Sequence, residues 1–305
     1  MSDDASARKR DRWLRHCASL LACVALAACA GADSELGDNA LPPITLAETG
    51  VYLPGKIVFT EHLSAAPERL RAFYASLFGW QFVETDAADY TLALLDREPV
   101  AGFARIHQRH DAALWLSVFA TDDLGVAFRQ ALAAGGASLL DPVDAAPRGS
   151  VAIVEDAERA PFALLQAQNG DPLDTERQPA AGSFVWHELW SGDPAAAAGF
   201  YDRLFAYDIH LRERGEAPYS LLVSQDQARA GIYRMPNDAA EPQWLAYILV
   251  DDLEQTLTRV PARGGEVLFD PDQRGDGTAA GVAIVADPLG AVFGLVDRTL
   301  LESRH

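Results

Sequence analysis

The feature that most constrains this chain is an internal repeat. Three segments of the first half align with three segments of the second half at offsets of 127, 129 and 131 residues: 69–82 with 196–209, 114–124 with 243–253, and 151–165 with 282–296. The first pair reads RLRAFYASLFGWQF against AAAGFYDRLFAYDI. Offsets that grow by two residues from one segment to the next are typical of duplicated modules with small loop insertions. The sequence therefore predicts two copies of one module.

Each copy has the pattern of an α+β module. An apolar strand, GKIVFTEHL or SFVWHELW, leads to a helix opened by Pro67 or Pro194, with Ser64 or Asp193 near its cap. Two strands follow, and then a strand through a shared tryptophan, a helix begun by paired aspartates and ended by Gly-Gly, and two more strands. The predicted segments are module 1 at 55–168, a linker at 169–182, module 2 at 183–298 and a tail at 299–305.

The first 28 residues are typical of an export signal, with a basic start, a short apolar run and then small residues. The apolar run is too short to be retained as an ordinary transmembrane helix. The end of this segment, Leu26-Ala27-Ala28-Cys29, resembles the bacterial lipobox, in which the cysteine is acylated and becomes the first residue of the mature protein. A plain secretory signal is the alternative. Residues 29–54 lack helical or strand periodicity and are predicted to form a flexible tether.

Charge and cysteine content narrow the partners and the chemistry. The net charge of −19, without a basic cluster after Arg15, argues against nucleic acid. The lipobox resemblance implies a membrane partner through the acylated Cys29, and Ala30 in place of aspartate implies the outer membrane, with the protein facing the periplasm. The chain has no cysteine beyond Cys29, so no disulfide, thiol nucleophile or cysteine metal ligand is expected there.

Taken together, the repeated motifs resemble the vicinal oxygen chelate superfamily, which is the glyoxalase, bleomycin-resistance and extradiol-dioxygenase group. The motifs are SGDPAAAAGFYDRLFAY, WLAYILVDDL with a later Gly-Gly, and ADPLGAVFGLVD, and the resemblance covers about residues 55–298. It implies two tandem βαβββ modules that form curved mixed sheets with helices on the outer side. Because tandem modules can reproduce the dimer of single-module relatives, a monomer is expected.

The resemblance also implies where metal ligands would stand. The first-strand position, fourteen residues before the phenylalanine of the helical Phe-Tyr pair, is Phe59 in module 1 and Trp186 in module 2. The other matched positions are Ala113, Pro242, Ala163 and Gly294. None of these side chains binds a metal, so no metal and no other cofactor is predicted. A divalent metal held by a different arrangement is the alternative.

Strand alternation then assigns faces to the neighbouring side chains. If Phe59 and Trp186 face a cleft, Glu61, Glu188 and Trp190 face it as well, while His62 and His187 point away. Burial beside aromatic rings raises the pKa of a carboxyl group, so Glu61 and Glu188 are the candidate catalytic residues. The alternative is a structural carboxylate bound by an arginine or by backbone donors. The candidate ligand-binding residues are Phe59, Trp186, Trp190, Trp115 and Trp244. For Trp115 and Trp244, core packing is the alternative.

Three functions are compatible with this pattern. The leading hypothesis is a lipid-anchored protein of the cell envelope that binds a small molecule in a cleft without metal ligands. The second is an enzyme with lyase, isomerase or dioxygenase-like activity, which is either metal-free with Glu61 or Glu188 as base or metal-dependent through a different site. The third is an interaction scaffold in the envelope. A fold alone cannot choose among them, because chemistry resides in sites.

Overall fold

A computed structural model of the chain describes residues 40–107, 113–175, 177–214, 217–235, 241–270 and 281–302. Within these residues the chain forms two modules, and each is built on one eight-stranded mixed sheet. The predicted α+β class and tandem arrangement are confirmed. None of the helices in the described ranges is long and apolar enough to cross a membrane.

Module 1 contains eight strands and two α-helices. Its strands are β1 (Ile57–Ser64), β2 (Gln81–Glu84), β3 (Tyr90–Leu95), β4 (Glu98–Arg105), β5 (Leu114–Ala120), β6 (Ala137–Asp144), β7 (Gly149–Glu155) and β8 (Pro161–Ala167). A 3-10 turn at Pro67–Leu70 leads into helix α1 (Arg71–Phe78), and helix α2 spans Leu124–Ala133. The strand order across the sheet is β2-β3-β4-β1-β5-β8-β7-β6.

Module 2 repeats this arrangement and ends in a short additional helix. Its strands are β9 (Phe184–Ser191), β10 (Asp208–Arg214), β11 (Ala217–Ser224), β12 (Gln227–Arg234), β13 (Gln243–Val250), β14 (Glu266–Phe269), β15 (Val282–Ala286) and β16 (Val292–Asp297). The helices are α3 (Pro194–Phe205), α4 (Leu253–Ala262) and α5 (Arg298–Glu302). The strand order is β10-β11-β12-β9-β13-β16-β15-β14, which matches module 1 position by position.

Each module therefore holds two βαβββ units, since each of its two long helices is followed by three strands. The units meet where β1 pairs antiparallel with β5, and β9 with β13. The sequence predicted two strands after each helix and missed one of the three each time. The missed strands, β2, β6, β10 and β14, are the outer strands of the two sheets. An edge strand pairs on one side only and exposes most of its residues, so the apolar alternation that marks a strand is weak there.

The helix starts follow the predicted cap chemistry with one exception. The carboxylates of Asp123, Asp193 and Asp252 accept hydrogen bonds from the backbone N–H groups of Val126, Ala196 and Gln255. The predicted cap at Ser64 is wrong. Ser64 ends strand β1, and the 3-10 turn that follows begins without a side-chain cap.

The helix-covered faces of the two sheets meet and form two mixed cores. In the first, Phe119 and Phe162 of module 1 pack against Tyr201, Phe205 and Trp244 of module 2. The second core joins the other halves of the modules, with Tyr74 and Phe78 packed against Phe293. Helix α1 lies beside α4, and α2 beside α3. Each module thus completes the core of the other.

Reciprocal hydrogen bonds show that a pseudo-two-fold axis relates the modules. The Tyr74 hydroxyl donates to the carboxylate of Asp287 at 2.8 Å, and the Tyr201 hydroxyl donates to Asp156 at 3.0 Å. Asp156 and Asp287 are matched residues of the repeat, as are the two tyrosines. Near the axis, equivalent residues of the two modules contact each other. Thr60 Oγ1 lies 3.2 Å from Nε2 of His187, which is the residue that matches Thr60 in module 2. The interface therefore has the self-complementary form of a symmetric dimer.

Candidate functional site

The face of each sheet away from the helices carries a further cluster of buried apolar residues, and we call these surfaces cleft 1 in module 1 and cleft 2 in module 2. In cleft 1, Phe59 packs with Tyr90, Leu116 and Val118 of the neighbouring strands. In cleft 2, Trp190 and Tyr247 belong to the buried cluster, and Trp186 packs against them. The predicted faces of Phe59, Trp186 and Trp190 agree with this placement.

Glu61 lies on the face of cleft 1 and is enclosed by two partners. Both of its carboxylate oxygens accept from the Tyr90 hydroxyl, at 2.9 and 3.0 Å, and Arg148 donates to Oε1. Arg148 also donates to the Tyr90 oxygen at 2.6 Å and stacks over the rings of Tyr90 and Phe59. Burial raises the pKa of Glu61, while the Arg148 guanidinium and the Tyr90 hydroxyl act in the opposite direction. In cleft 1, therefore, Glu61 is a structural carboxylate bound by an arginine, which is the alternative that the sequence left open.

A glycine makes room for this cluster. Gly102 on β4 stands directly beside Glu61, and a Cβ atom there would lie 1.9 Å from both Glu61 Oε2 and the Tyr90 hydroxyl. The matched Gly231 stands beside Glu188, and a Cβ there would lie 1.7 Å from the Tyr219 hydroxyl. A glycine on β4 and β12 thus lets a tyrosine lie across the sheet toward the glutamate.

The N-terminal segment occupies cleft 1. Residues 41–44, which we call the strap, run across the sheet face. The backbone N–H of Leu41 donates to Ala145, Arg148 Nε donates to the Pro42 carbonyl at 2.8 Å, and Ile44 is only 5% exposed within the Phe59 cluster. The flexible tether predicted for 29–54 is therefore wrong for residues 40–54, which form no helix or strand but are fixed to module 1. Residues 29–39, with the predicted lipidation site Cys29, lie outside the described residues.

Cleft 2 has a different lining. Glu188 Oε1 accepts from Trp190 Nε1 and from the Tyr247 hydroxyl, both at 3.1 Å. Trp186 Nε1 donates to the Tyr219 hydroxyl at 3.0 Å, and the Tyr219 and Tyr233 rings are 6.3 Å apart. Glu188 is thus a buried carboxylate surrounded by aromatic side chains.

The other predicted aromatic walls are wrong. Trp115 and Trp244 lie on the helix-covered face, where their indole N–H groups donate to Tyr74 and Tyr201 at 3.1 and 2.8 Å. Trp115 is paired with His62 across the β1–β5 ladder, so the two residues share a face, and that face points away from the cleft. Both tryptophans are core residues. They line neither cleft.

His62 and His187 also point away from the clefts, as strand alternation predicts. His62 Nε2 lies 2.8 Å from the Asp287 carboxylate in the second mixed core, and its ring stacks on Phe103. Alternation does not hold for Val185, which packs with the cluster of cleft 2 because the β9–β13 register shifts beside it. The matched strand β1 has a register shift at Val58. A β-bulge turns successive side chains to one face.

A metal does not fit the positions that the superfamily implies. Phe59 pairs with Val118 on the neighbouring strand, and Val118 pairs with Ala163 on the next one. None of these three side chains, which form a row across the sheet, can bind a metal. In module 2 the row is Trp186, Tyr247 and Gly294, where the Tyr247 ring occupies the space above the glycine. No cluster of three histidine, cysteine, aspartate or glutamate residues suited to a metal occurs within the described ranges.

Three components of the site were not predicted from the sequence: Tyr90, Arg148 and the strap. Tyr90 could have been found, because Tyr90 and Tyr219 match at the same offset as Gly102 and Gly231. Arg148 has no such signal. It aligns with Ala279, and it is 87 residues from its partner Glu61. The strap lies outside the repeat.

Comparisons with known proteins agree with this architecture. The family described as Glyoxalase-like domain matches residues 57–165 and again 187–296. The protein named putative glyoxylase CFP32 from Mycobacterium tuberculosis is 27% identical over 237 residues, which cover 74% of this chain and 88% of that protein. The anthracycline biosynthesis protein DnrV from Streptomyces peucetius is 29% identical over 247 residues, covering 74% and 86%.

Two solved structures show the same fold at low identity. The Mn(II)-bound glyoxalase from Novosphingobium aromaticivorans superimposes with a TM-score of 0.56 at 16% identity, covering 81% of this chain and 83% of that one. The 2,2',3-trihydroxybiphenyl 1,2-dioxygenase from Sphingomonas wittichii gives a TM-score of 0.54 at 13% identity, covering 80% and 90%. These likenesses concern the fold alone and agree with the resemblance to the vicinal oxygen chelate superfamily. With both modules matched by the family, the chain belongs to the Glyoxalase-like domain family and carries two copies of that domain.

Proposed function

We propose that this protein binds a small, planar aromatic molecule in cleft 2, and that it does so in the cell envelope, anchored through Cys29. The observation that carries the binding proposal is the lining of cleft 2, where Trp186, Trp190, Tyr219 and Tyr247 surround the Glu188 carboxylate. The anchor rests on the lipobox-like sequence that ends at Cys29.

The two clefts are not equivalent as binding sites. Cleft 1 already holds the strap, and its glutamate is bound by Arg148 and Tyr90. Ile44 of the strap takes up the apolar surface around Phe59 that a ligand would use. In cleft 2 the matched Trp186 is only partly buried. We therefore assign the ligand to cleft 2.

The lining favours an aromatic ligand with a hydroxyl group. Tryptophan and tyrosine rings stabilise flat rings by offset or edge contacts that contribute about 0.5–1.5 kcal/mol per pair beyond surface burial. A carboxylate at the base of such a cleft accepts a hydrogen bond from a ligand hydroxyl and so fixes its orientation. The name of the Streptomyces relative, an anthracycline biosynthesis protein, supports a polycyclic aromatic class of ligand.

The test is a titration of the purified full chain with 1,8-dihydroxyanthraquinone, a planar phenol, followed by tryptophan fluorescence and calorimetry. Replacing Trp186 with leucine should weaken binding at least tenfold, because the ring contact is lost. The matched control is Phe59→Leu, the same change in the strap-filled cleft 1, which should leave the affinity unchanged. Equal effects of the two substitutions, or no binding by the wild-type chain, would contradict the proposal.

Catalysis is the second candidate, because Glu188 is a buried carboxylate that accepts from Trp190 and Tyr247 in the same cleft, and relatives are named putative glyoxylase. As a general base it would accept a proton from a bound ligand. The Glu188→Gln variant keeps the shape of the side chain and removes the base. Turnover of a bound ligand that this variant abolishes, with binding retained, would establish the enzyme. Binding without turnover in both proteins would leave the binding function.

A further inference from the structure

A cavity lies between the modules, on the pseudo-two-fold axis. We call it the axial cavity. It has a volume of about 380 Å³, and its walls come from the starts of β1 and β4, the starts of β9 and β12, and the linker. Its walls follow the repeat: Lys56, Val58, Thr60 and Val100 of module 1 are matched by Ser183, Val185, His187 and Arg229 of module 2. The only lining residue without a counterpart is Asp174 of the linker.

The shape of the cavity is symmetric, but its charge is not. Lys56 Nζ and Arg229 Nη1 both contact the same oxygen of Asp174, at 2.9 and 2.7 Å, so the two cations lie at one end. Their counterparts, which the symmetry places at the other end, are the neutral Ser183 and Val100. One carboxylate faces two cations, which leaves a net positive charge at this end of the cavity in a chain whose net charge is −19.

Lys56 is the group that a ligand would meet. Its side chain is 16% exposed, and its ammonium group donates to the Pro172 carbonyl and to Asp174. An ammonium has three donors, so one of them is left for a ligand. The donors of Arg229 are bound by Asp174, Ser224 and Gln225. Lys56 is also the only lysine among residues 29–305, where every other basic side chain with a permanent charge is arginine.

The rest of the cavity suits an apolar body. Val58, Val185 and Phe184 contribute carbon surface, and the Thr60–His187 pair adds a polar contact near the axis. Burial lowers the pKa of the His187 ring to about 3, so the ring is neutral at physiological pH. The positive charge is therefore confined to the end formed by Lys56 and Arg229.

We propose that the axial cavity is a binding site for a small amphipathic monocarboxylate, with the carboxylate on Lys56 and the apolar body toward Ser183 and Val100. A charge-assisted hydrogen bond to an ammonium is stronger than one between neutral groups, so charge is the main determinant of selectivity. The cavity volume lies within the range of small-molecule sites. The carboxylate site rests on Lys56 and does not require a ligand in cleft 2, although Trp186 borders both the axial cavity and cleft 2.

Phenylacetate and its uncharged analogue phenylacetamide test the proposal. Calorimetric titration of the full chain should show phenylacetate binding at least tenfold more tightly than the amide. Lys56→Gln should weaken phenylacetate binding at least tenfold, and Lys56→Arg should restore most of it, because the arginine keeps the charge. Bound phenylacetate should also slow acylation of Lys56 by an N-hydroxysuccinimide ester, measured on its peptide by mass spectrometry, whereas phenylacetamide should leave that rate unchanged.

Three results would overturn the proposal: no binding of phenylacetate, equal binding of acid and amide, or full binding by the Lys56→Gln chain. Circular dichroism of that variant shows whether it is folded, and the Lys56→Arg chain repeats the test with the charge in place. Titration of Lys56→Gln with 1,8-dihydroxyanthraquinone should match the wild type, so a failure in cleft 2 is distinguishable from a failure in the axial cavity.

Discussion

Glu61 and Glu188 are matched residues with different surroundings. Glu61 is bound by Arg148 and Tyr90, whereas Glu188 accepts from Trp190 and Tyr247. Breaking a buried ion pair by removing one partner leaves an uncompensated charge, which is why such a pair resists single substitutions. In cleft 1 the bond from Arg148 makes Glu61 a structural carboxylate.

Another buried carboxylate, Asp156, leads to a prediction about the pH dependence of stability. Burial raises its pKa from 3.8 to about 6, although the backbone N–H groups of Ala160 and Glu158 and the Tyr201 hydroxyl act in the opposite direction. A raised pKa means that the folded state holds the proton more tightly than the unfolded state. The stability contribution is therefore complete below pH 3.8 and is lost as the pH rises through about 6, a change of about 3 kcal/mol.

Asp156→Asn removes this titration and keeps the acceptor for the backbone N–H groups. The measurement is urea unfolding at pH 4 and pH 7 for both proteins. The difference in unfolding free energy between wild type and variant should shift by about 2.4 kcal/mol between the two pH values, with the wild type losing stability at pH 7. A difference that stays constant from pH 4 to pH 7 would contradict the assignment.

For individual residues, the sequence could predict the sheet face on which a side chain lies but not its interaction partners. Strand alternation placed Glu61, Glu188, His62 and His187 on the faces that the structure shows. It could not assign a face to Trp115, which was expected to line a cleft, because the sequence does not show how the strand of Trp115 pairs with β1. Arg148 reaches Glu61 from a distant strand start, and a contact of that kind leaves no local pattern in a single sequence.

Among the elements, the strap is the one that differs most from its prediction. A segment with two prolines and no helical or strand periodicity is typical of a linker, because such a sequence does not predict regular backbone hydrogen bonds. Its stability comes from the surface that it covers. Ile44 is buried in cleft 1, while Leu46, two residues later, is 69% exposed. The bonds from Leu41 and Arg148 hold its backbone in place.

This contrast defines a matched pair of variants. Ile44→Asp places a charge in an apolar cluster and should release the strap, with a loss of about 2–3 kcal/mol in unfolding free energy. Leu46→Asp, at an exposed position, should change it by less than about 0.5 kcal/mol. Limited proteolysis reads out the strap directly, since only the Ile44→Asp chain should be cleaved faster within residues 40–50. Equal cleavage rates in the two variants would show that the strap is not held by Ile44.

The elements that the sequence did predict have two neighbouring strands, a defined cap or an apolar stripe. Every interior strand of both sheets was found, because both of its sides are buried. An aspartate cap marks three of the four long helices, and the buried residues Phe73, Tyr74 and Leu77 mark helix α1. The outer strands were missed for the opposite reason. Strand β2, for example, buries no residue of Gln81–Glu84 fully.

For the whole molecule, the mixed cores make the two modules one cooperative unit. Phe119 contacts Phe205 with parallel rings 5.3 Å apart, and Tyr74 donates to Asp287 across the same interface. A module on its own would leave these rings and this tyrosine without partners. Apolar surface of that extent does not stay exposed in a soluble monomer.

The two halves, residues 1–175 and 177–305, test this when expressed separately. Each alone should self-associate and lack the near-ultraviolet circular dichroism of the intact chain, whereas mixing should restore that signal in a one-to-one complex. Light scattering measures the size of each species. A monomeric half with an ordered tryptophan signal would contradict the prediction, because it would mean that each module has a sufficient core of its own.

The pseudo-two-fold interface has a further consequence for the assembly state. Module 1 of one chain can dock onto module 2 of another with the same contacts that it makes within its own chain, including both tyrosine–aspartate bonds. Such a domain-swapped dimer differs from two monomers only in the path of the linker. A short linker gives the intramolecular partner a local concentration of about a millimolar, which keeps dilute chains monomeric. Freezing and overexpression concentrate the chains and so favour the exchange, and the resulting dimers would persist after dilution, because separation requires both cores to open.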